Sequence, residues 1–191
     1  MTETIPNLPT QYTDIDTATR TSGFTMASDV LTGSLLRTLA ASKPNGKFLE
    51  LGTGTGLSTS WILDGMTTTS TLISVDNDEA FLTIANRFLN HDPRLTLITS
   101  DGNDWIKQNT ALRFDYIFAD TWPGKYMLLD ETLALLNPGG LYIIDDMLPQ
   151  PNWPEGHAEK ATKLVEDLEA RPDLILTKQH WSTGIIIGVK K

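Results

Sequence analysis

Residues 50–56 read Glu50-Leu51-Gly52-Thr53-Gly54-Thr55-Gly56, with glycine at every second position behind an acid. A short apolar run, Lys47–Leu51, leads into it, and a helical pattern, Leu57–Asp64, starts directly after it. Strand, glycine-rich turn and helix in that order make the first unit of an α/β domain. Glycines at this point remove side chains, so a ligand can approach the backbone and the helix N-terminus closely. The next apolar run, Leu72–Asp76, ends in Asp76, twenty residues after Gly56. A carboxylate there is placed to accept two hydrogen bonds from a ribose diol. The plainer alternative is a glycine turn that serves tight strand-to-helix geometry alone.

The same rhythm continues outward. Strands are predicted at Lys47–Leu51, Leu72–Asp76, Leu95–Thr99, Phe114–Ala119 and Leu141–Asp145, with two late ones at Leu174–Lys178 and Gly184–Val189. Helical spacing of apolar residues predicts helices over Ser28–Ala41, Leu57–Asp64, Glu79–Asn90, Asp104–Ala111, Tyr126–Leu136 and Glu155–Ala170. Strands that are continuous apolar runs, each followed by a helix, imply a parallel sheet covered on both faces. Only Gln179–Thr183 separates the last two runs, too short for a crossover helix, so these two should pair antiparallel at one edge. The expected fold is a doubly wound α/β domain in one piece. Residues 1–25, with Pro6, Pro9 and scattered Thr and Asp, read as a weakly structured lead-in to a domain over residues 26–191.

Composition narrows the function classes. The chain of 191 residues carries 15 Lys and Arg against 24 Asp and Glu, a net charge of −9. That balance argues against binding nucleic acid through its phosphates, which takes a clustered basic surface, and favours a small-molecule partner. No cysteine is present, which removes disulfides, zinc-thiolate sites, iron–sulfur clusters and cysteine nucleophiles together. Residues 1–20 have neither a basic nor an apolar region of a secretory leader, and no apolar run is long enough to span a bilayer. A cytoplasmic protein that makes no membrane contact is the expectation.

The glycine spacing separates two ligand classes. A dinucleotide site wants Gly-x-Gly-x-x-Gly after an unbroken apolar strand, whereas here Gly-x-Gly-x-Gly follows Glu50. On the glycine loop, Asp76 and the terminal antiparallel pair, the chain resembles the class I S-adenosylmethionine-dependent methyltransferases, with a Rossmann-like seven-stranded sheet whose last strand is antiparallel. From about Met26 to the C-terminus it is similar to the catechol O-methyltransferase-like family. The likeness is carried by Met26-Ala27-Ser28, Ser58, Ser100-Asp101-Gly102-Asn103, Asp120-Thr121-Trp122 and Asp145-Asp146.

The resemblance implies S-adenosylmethionine as cofactor, held by Met26, Ser28, Glu50, Gly52, Thr53, Gly54, Gly56, Ser58, Asp76, Asn77, Asp101, Gly102, Asp120 and Trp122. It further implies Mg²⁺ or another divalent cation on Asp120, Asp145 and Asp146, where the family commonly has Asp-Asn at the last two positions. From the residues alone, three carboxylates beyond neighbouring strand ends repel one another unless protonated, paired or bridged by a metal. Oxygen ligands suit Mg²⁺, Ca²⁺ or Mn²⁺. The alternative is that Asp145 and Asp146 cap a loop and contact backbone amides or Lys125.

Methyl transfer to a hydroxyl needs a group that takes its proton. The family places a lysine three residues beyond the first metal-binding Asp, but here that position is Pro123, followed by Gly124 and Lys125. Lys125 is the catalytic candidate beside Asp120, with pairing to the acids or a solvent-facing position as alternatives. His157, at the end of the proline-braced rim loop Asp146–His157, is a second base candidate unless it only caps the following helix. Trp122 and Trp153 could wall the same crevice, and Trp61 and Trp105 read as core. The function expected is methyl transfer to a small-molecule acceptor, most simply a hydroxyl, by a protein that could form a homodimer. An NAD-dependent oxidoreductase and a cofactor-binding regulatory protein without transfer are the rival readings.

Overall fold

The computed structural model describes residues 4, 5, 7–150 and 153–191. Pro6 of the lead-in, and Pro151 and Asn152 of the rim loop, lie outside the described residues. Five parallel strands, β1 (Lys47–Leu51), β2 (Thr71–Asp76), β3 (Leu95–Thr99), β4 (Phe114–Ala119) and β5 (Leu136–Ile144), are joined by β6 (Leu174–Gln179) and β7 (Ile185–Lys190). The sheet order is β3-β2-β1-β4-β5-β7-β6. β7 runs antiparallel between β5 and β6, so the late hairpin closes one edge as its short connection requires. The chain winds outward from β1 in one direction and from β4 in the other. The crevice beyond the C-terminal ends of β1 and β4 is therefore the topological switch point.

Alternation along the strands divides the core into two layers. Phe48, Tyr116, Phe118, Leu141 and Ile143 face one side, against α1 (Tyr12–Ser22), α2 (Val30–Ala41) and α3 (Leu57–Gly65). Leu49, Ile117, Tyr142 and Ile144 face the other, against α5 (Gly102–Gln108), α6 (Leu129–Ala134) and α7 (His157–Glu169). The remaining helix, α4 (Glu79–Leu89), starts at Asp78, whose carboxylate accepts from the amides of Ala80 and Phe81. Among the described residues no helix is long and apolar enough to cross a membrane.

The structure departs from the sequence expectation in three places. The lead-in is not weakly structured, because residues 12–22 form α1. Tyr12, Ile15 and Thr19 recur at helical spacing and are buried. The Tyr12 ring meets Trp61 edge-on at 5.6 Å, and the Thr19 hydroxyl lies 2.7 Å from that of Thr55 in the glycine loop. Three buried positions in a Thr- and Asp-rich stretch leave little apolar signal. The predicted helix Tyr126–Leu136 is reduced to α6, because Trp122–Met127 forms a turn and Leu128 takes a left-handed φ of 53°. β5 starts five residues earlier than expected, at Leu136.

Gly33 on α2 is set by a close approach. A Cβ there would lie 2.3 Å from Nε1 of the buried Trp61, so the two helices touch backbone to ring. Helix propensity alone would make Gly33→Ala stabilising by about 1 kcal/mol. The clash reverses the sign: we expect a loss of about 2–3 kcal/mol, a fall in Tm of about 5–10 °C. Thermal unfolding of Gly33→Ala, and part recovery on adding Trp61→Phe, checks it.

Candidate functional site

Behind the glycine loop stands one buried carboxylate. Glu50 on β1 is fully enclosed, and its oxygens accept from Ser58 (2.6 Å) and Thr59 (2.6 Å) on α3 and from Ser74 (2.5 Å) on β2. Burial pushes its pKa from 4.5 up to about 7, against the pull of these hydroxyls and with a small push from Asp76. In front of it, Gly52, Gly54 and Gly56 all have positive φ. A Cβ on Gly52 would lie 2.9 Å from the Asp120 carbonyl oxygen, and one on Gly54 3.0 Å from the Phe24 ring.

A cavity of about 500 Å³ opens at this point. Its first half is lined by Gly52–Thr55, Ser58, Asp76, Asn77 and Phe81, under the segment Phe24–Ser28. Phe24 packs on Phe81 with ring centres 4.6 Å apart. Asp76 is oriented by backbone: one oxygen accepts from the Gly54 amide (2.7 Å), the other from the Asp78 amide (2.9 Å). Each oxygen keeps a lone pair for a ligand.

The second half lies beyond β4 and β5. Asp120, Lys125, Tyr126, Asp145, Asp146 and His157 line it, with Trp122 and Trp153 as apolar walls. Lys125 is delivered by the turn after β4. The amides of Lys125, Tyr126 and Met127 all donate to the Trp122 carbonyl, and the buried Tyr142 hydroxyl holds the Gly124 carbonyl at 2.6 Å. Gly124 has a φ of 82°, and a Cβ there would strike Leu51 at 2.4 Å. Lys125 is thereby turned inward, 4% exposed, and its ammonium donates to the Asp145 carbonyl oxygen. The Asp120 carboxylate accepts from Ser28 (3.1 Å). Asp145 accepts from the Thr183 hydroxyl and the Asp146 amide, and Asp146 itself holds a left-handed φ of 55°.

Burial raises the pKa of all three acids. Asp120 is pushed well above the ordinary carboxylate range, first by burial and then by Asp145, with Lys125 pulling it down. Asp145 is pushed up to about 6 by burial, against its bond from Thr183. Asp146 is raised by burial, with Lys125 opposing. His157 moves the other way: burial, then the charges of Lys125 and Lys160, hold it below its ordinary 6.5. At neutral pH it is an uncharged imidazole. Its Nε2 lies 3.2 Å from the Tyr126 hydroxyl, while Nδ1 is buried without a hydrogen-bond partner among the described residues. Burial, aided by Asp146 and Asp120, raises Tyr126 to about 12. Trp153 packs on the His157 ring at 4.5 Å, and the Lys160 ammonium sits 4.1 Å over the Trp122 ring.

Of the positions expected to hold a cofactor, Met26, Ser28, Gly52, Thr53, Gly54, Ser58, Asp76, Asn77, Asp120 and Trp122 line the cavity. Four do not. Glu50 is sealed behind the loop, because its oxygens are turned to Ser58, Thr59 and Ser74. Gly56 lies against Ala85 and Leu89 of α4. Asp101 caps α5, accepting from the amides of Asn103 and Asp104, and Gly102 packs against Pro123. The expected metal set also fails on geometry. Among the described residues no three His, Asp or Glu side chains are grouped closely enough to hold a metal ion. Asp145 is turned towards Thr183, Asp120 is engaged by Ser28, and Lys125 brings a fixed positive charge to the acids. The expectation overlooked Phe24, Phe81, Tyr126 and Thr183 as cavity residues. Only the helical spacing of Tyr126 hinted at a buried side, and Thr183 arrives from the far end of the chain.

The family model for a methyltransferase domain matches residues 49–147, just over half of the chain and the whole stretch from the glycine loop to the paired acids. The chain belongs to this methyltransferase-domain family. A provisionally named O-methyltransferase of Mycobacterium avium is 27% identical over 119 residues, which cover 59% of this chain and 53% of that protein. The chain thus spans about half the length of the curated relatives it matches. Among solved structures, the O-methyltransferase from Bacillus cereus in complex with SAH superposes with a TM-score of 0.86 at 19% identity, over 99% of this chain and 94% of that one. TomG from Streptomyces achromogenes, an O-methyltransferase of tomaymycin synthesis solved with SAM, gives 0.83 at 20% identity, over 97% and 91%. At these identities the structural likeness establishes the shared methyltransferase fold.

The Glu50 shift fixes a sign for stability against pH. A buried acid with a raised pKa contributes stability that is complete below its ordinary value and lost as pH rises through the raised one. For Glu50 that window runs from 4.5 to about 7, and the shift is equivalent to about 3 kcal/mol. Thermal unfolding of the wild-type protein should weaken across this interval. Glu50→Gln should make the decline shallower, with the slope that remains coming from Asp120, Asp145 and Asp146, which burial raises too; an unchanged slope would refute the assignment.

Proposed function

We propose that this protein is an S-adenosylmethionine-dependent methyltransferase that methylates a hydroxyl of a small molecule. The reading rests on one observation above the others. A single cavity runs from the Asp76 carboxylate, across the Gly52–Thr55 loop, to the Tyr126–His157 pair. Cofactor and acceptor can therefore meet without leaving the crevice. The residues present fit the cofactor. Asp76 keeps two lone pairs for a ribose diol, Gly52 and Gly54 leave room that a Cβ would fill, and Phe24 and Phe81 offer an apolar face. When bound, S-adenosylmethionine supplies an electrophilic methyl group on its sulfonium.

The chain's own residues do the rest. Trp122 and Trp153 hold an apolar acceptor body against the wall, and the bound acceptor displaces water from that side of the crevice. The Tyr126 hydroxyl passes the acceptor's proton to His157 Nε2, which burial keeps uncharged and ready to receive it. Lys125 places positive charge beside the oxygen that is losing its proton. A dinucleotide oxidoreductase is the weaker reading, since the glycine spacing and the family both favour methyl transfer.

S-adenosylmethionine and S-adenosylhomocysteine at about 100 times Kd should raise Tm by about 5–10 °C, and NAD should not. Asp76→Ala, compared with its own unliganded Tm, should lose most of that shift. A wild-type protein that responds to NAD alone would overturn the reading. For the chemical step, His157→Asn and Tyr126→Phe should keep the S-adenosylhomocysteine shift. Each should lower transfer of labelled methyl to a panel of small hydroxylated aromatics by about 10²-fold or more.

A further inference from the structure

The acid cluster already contains a cation. Lys125 is 4% exposed and Asp145 is 1% exposed, and the ammonium is bonded to the Asp145 main-chain carbonyl. Its place is built in by the backbone. Gly124 is wedged against Leu51 where no other side chain fits, and Tyr142 anchors the same peptide. The backbone bonds of the Trp122–Met127 turn thus fix the direction in which the Lys125 side chain leaves the main chain. A buried ammonium is costly without negative charge nearby. No carboxylate oxygen among the described residues comes within 4.0 Å of this one, so Asp120, Asp145 and Asp146 act on it as near neighbours around the same cavity rather than as contact ion pairs. The carboxylate oxygens, for their part, take neutral donors. Ser28 donates to Asp120, and Thr183 and the Asp146 amide donate to Asp145. A hard divalent ion would need several of those oxygens turned to one point, next to a like charge.

We propose that the Lys125 ammonium is the resident counter-cation of the Asp120–Asp145–Asp146 cluster and stands in place of a divalent metal, so that this protein takes no metal ion there. Under the methyltransferase reading above, on which this last consequence rests, the positive charge that steadies the acceptor oxygen is then a fixed side chain. Chelators leave it untouched. Two vicinal hydroxyls are not required either, because nothing in the cluster has to be chelated.

The test needs neither cofactor nor acceptor, so its outcome is separate from that of the methyltransferase reading. Mn²⁺ is titrated into the full chain and its bound fraction read by electron paramagnetic resonance, with the component lost on Asp120→Asn taken as binding at the cluster. The wild-type protein should show no such component up to millimolar Mn²⁺. Lys125→Met should create one, at least tenfold tighter than any in wild type, and Mn²⁺ should then raise the Tm of that variant. Lys125→Gln, which keeps a donor for the Asp145 carbonyl but not the charge, should do the same and serves if the methionine variant does not fold. Asp120-dependent Mn²⁺ binding by the wild-type protein overturns the proposal. So does a folded, uncharged variant that gains none. The wild-type titration decides the first point whether or not either variant folds.

Discussion

The hydrogen bonds onto the Glu50 carboxylate are the constraint on which the rest of the site depends. Three hydroxyls from two elements converge on one enclosed acid of β1: Ser74 from β2, Ser58 and Thr59 from α3. An acid in that position without donors would be strongly destabilising, so the strands and the helix must take up this arrangement together. The loop between them has little freedom left. Gly52 donates to the Val75 carbonyl, Gly54 to Asp76, and Gly56 to the Thr53 carbonyl. The ligand-facing surface is thus shaped from behind by a residue that never reaches it.

Local pattern explains why so much of the architecture could be read in advance. Continuous apolar runs such as Tyr116–Ala119, buried at every position, fit the middle of a covered parallel sheet. The short Gln179–Thr183 link admitted only an antiparallel return. Asp76 and the glycines were legible because backbone geometry at a strand end restricts which residues work there. Where the signal was tertiary it was lost. Helix α1 shows three buried positions in eleven residues, and its partner Trp61 lies about forty residues on.

The acids show the other limit. Asp120, Asp145 and Asp146 were placed correctly in one crevice, yet their oxygens point elsewhere than a shared ligand would need. Side-chain direction follows from Ser28 and Thr183, neither of them near the acids in sequence, and from a turn tightened by Gly124. The departure at Pro123-Gly124 was visible as a broken family pattern. That it turns Lys125 inward depends on the contact with Leu51 and the bond from Tyr142, which no local spacing encodes. The surroundings of His157 are tertiary in the same way. Its aromatic neighbours come from two segments, Trp122 and Tyr126 from the turn after β4 and Trp153 from the rim loop.

The hairpin between β6 and β7 ties distant parts of the chain to the site. Ser182 donates to Asp29 across 153 residues and lies 3.0 Å from the Thr32 hydroxyl, while Thr183 reaches back 38 residues to Asp145. Contacts of such span close long loops, at an entropic cost that the packing of the hairpin has to offset. The same hairpin fills both core layers, through Ile185 on one side and Leu174 and Ile186 on the other. Thr183 thus ties the orientation of an acid in the crevice to the packing of the last strand pair, so damage to that distant sheet edge is transmitted to the binding site.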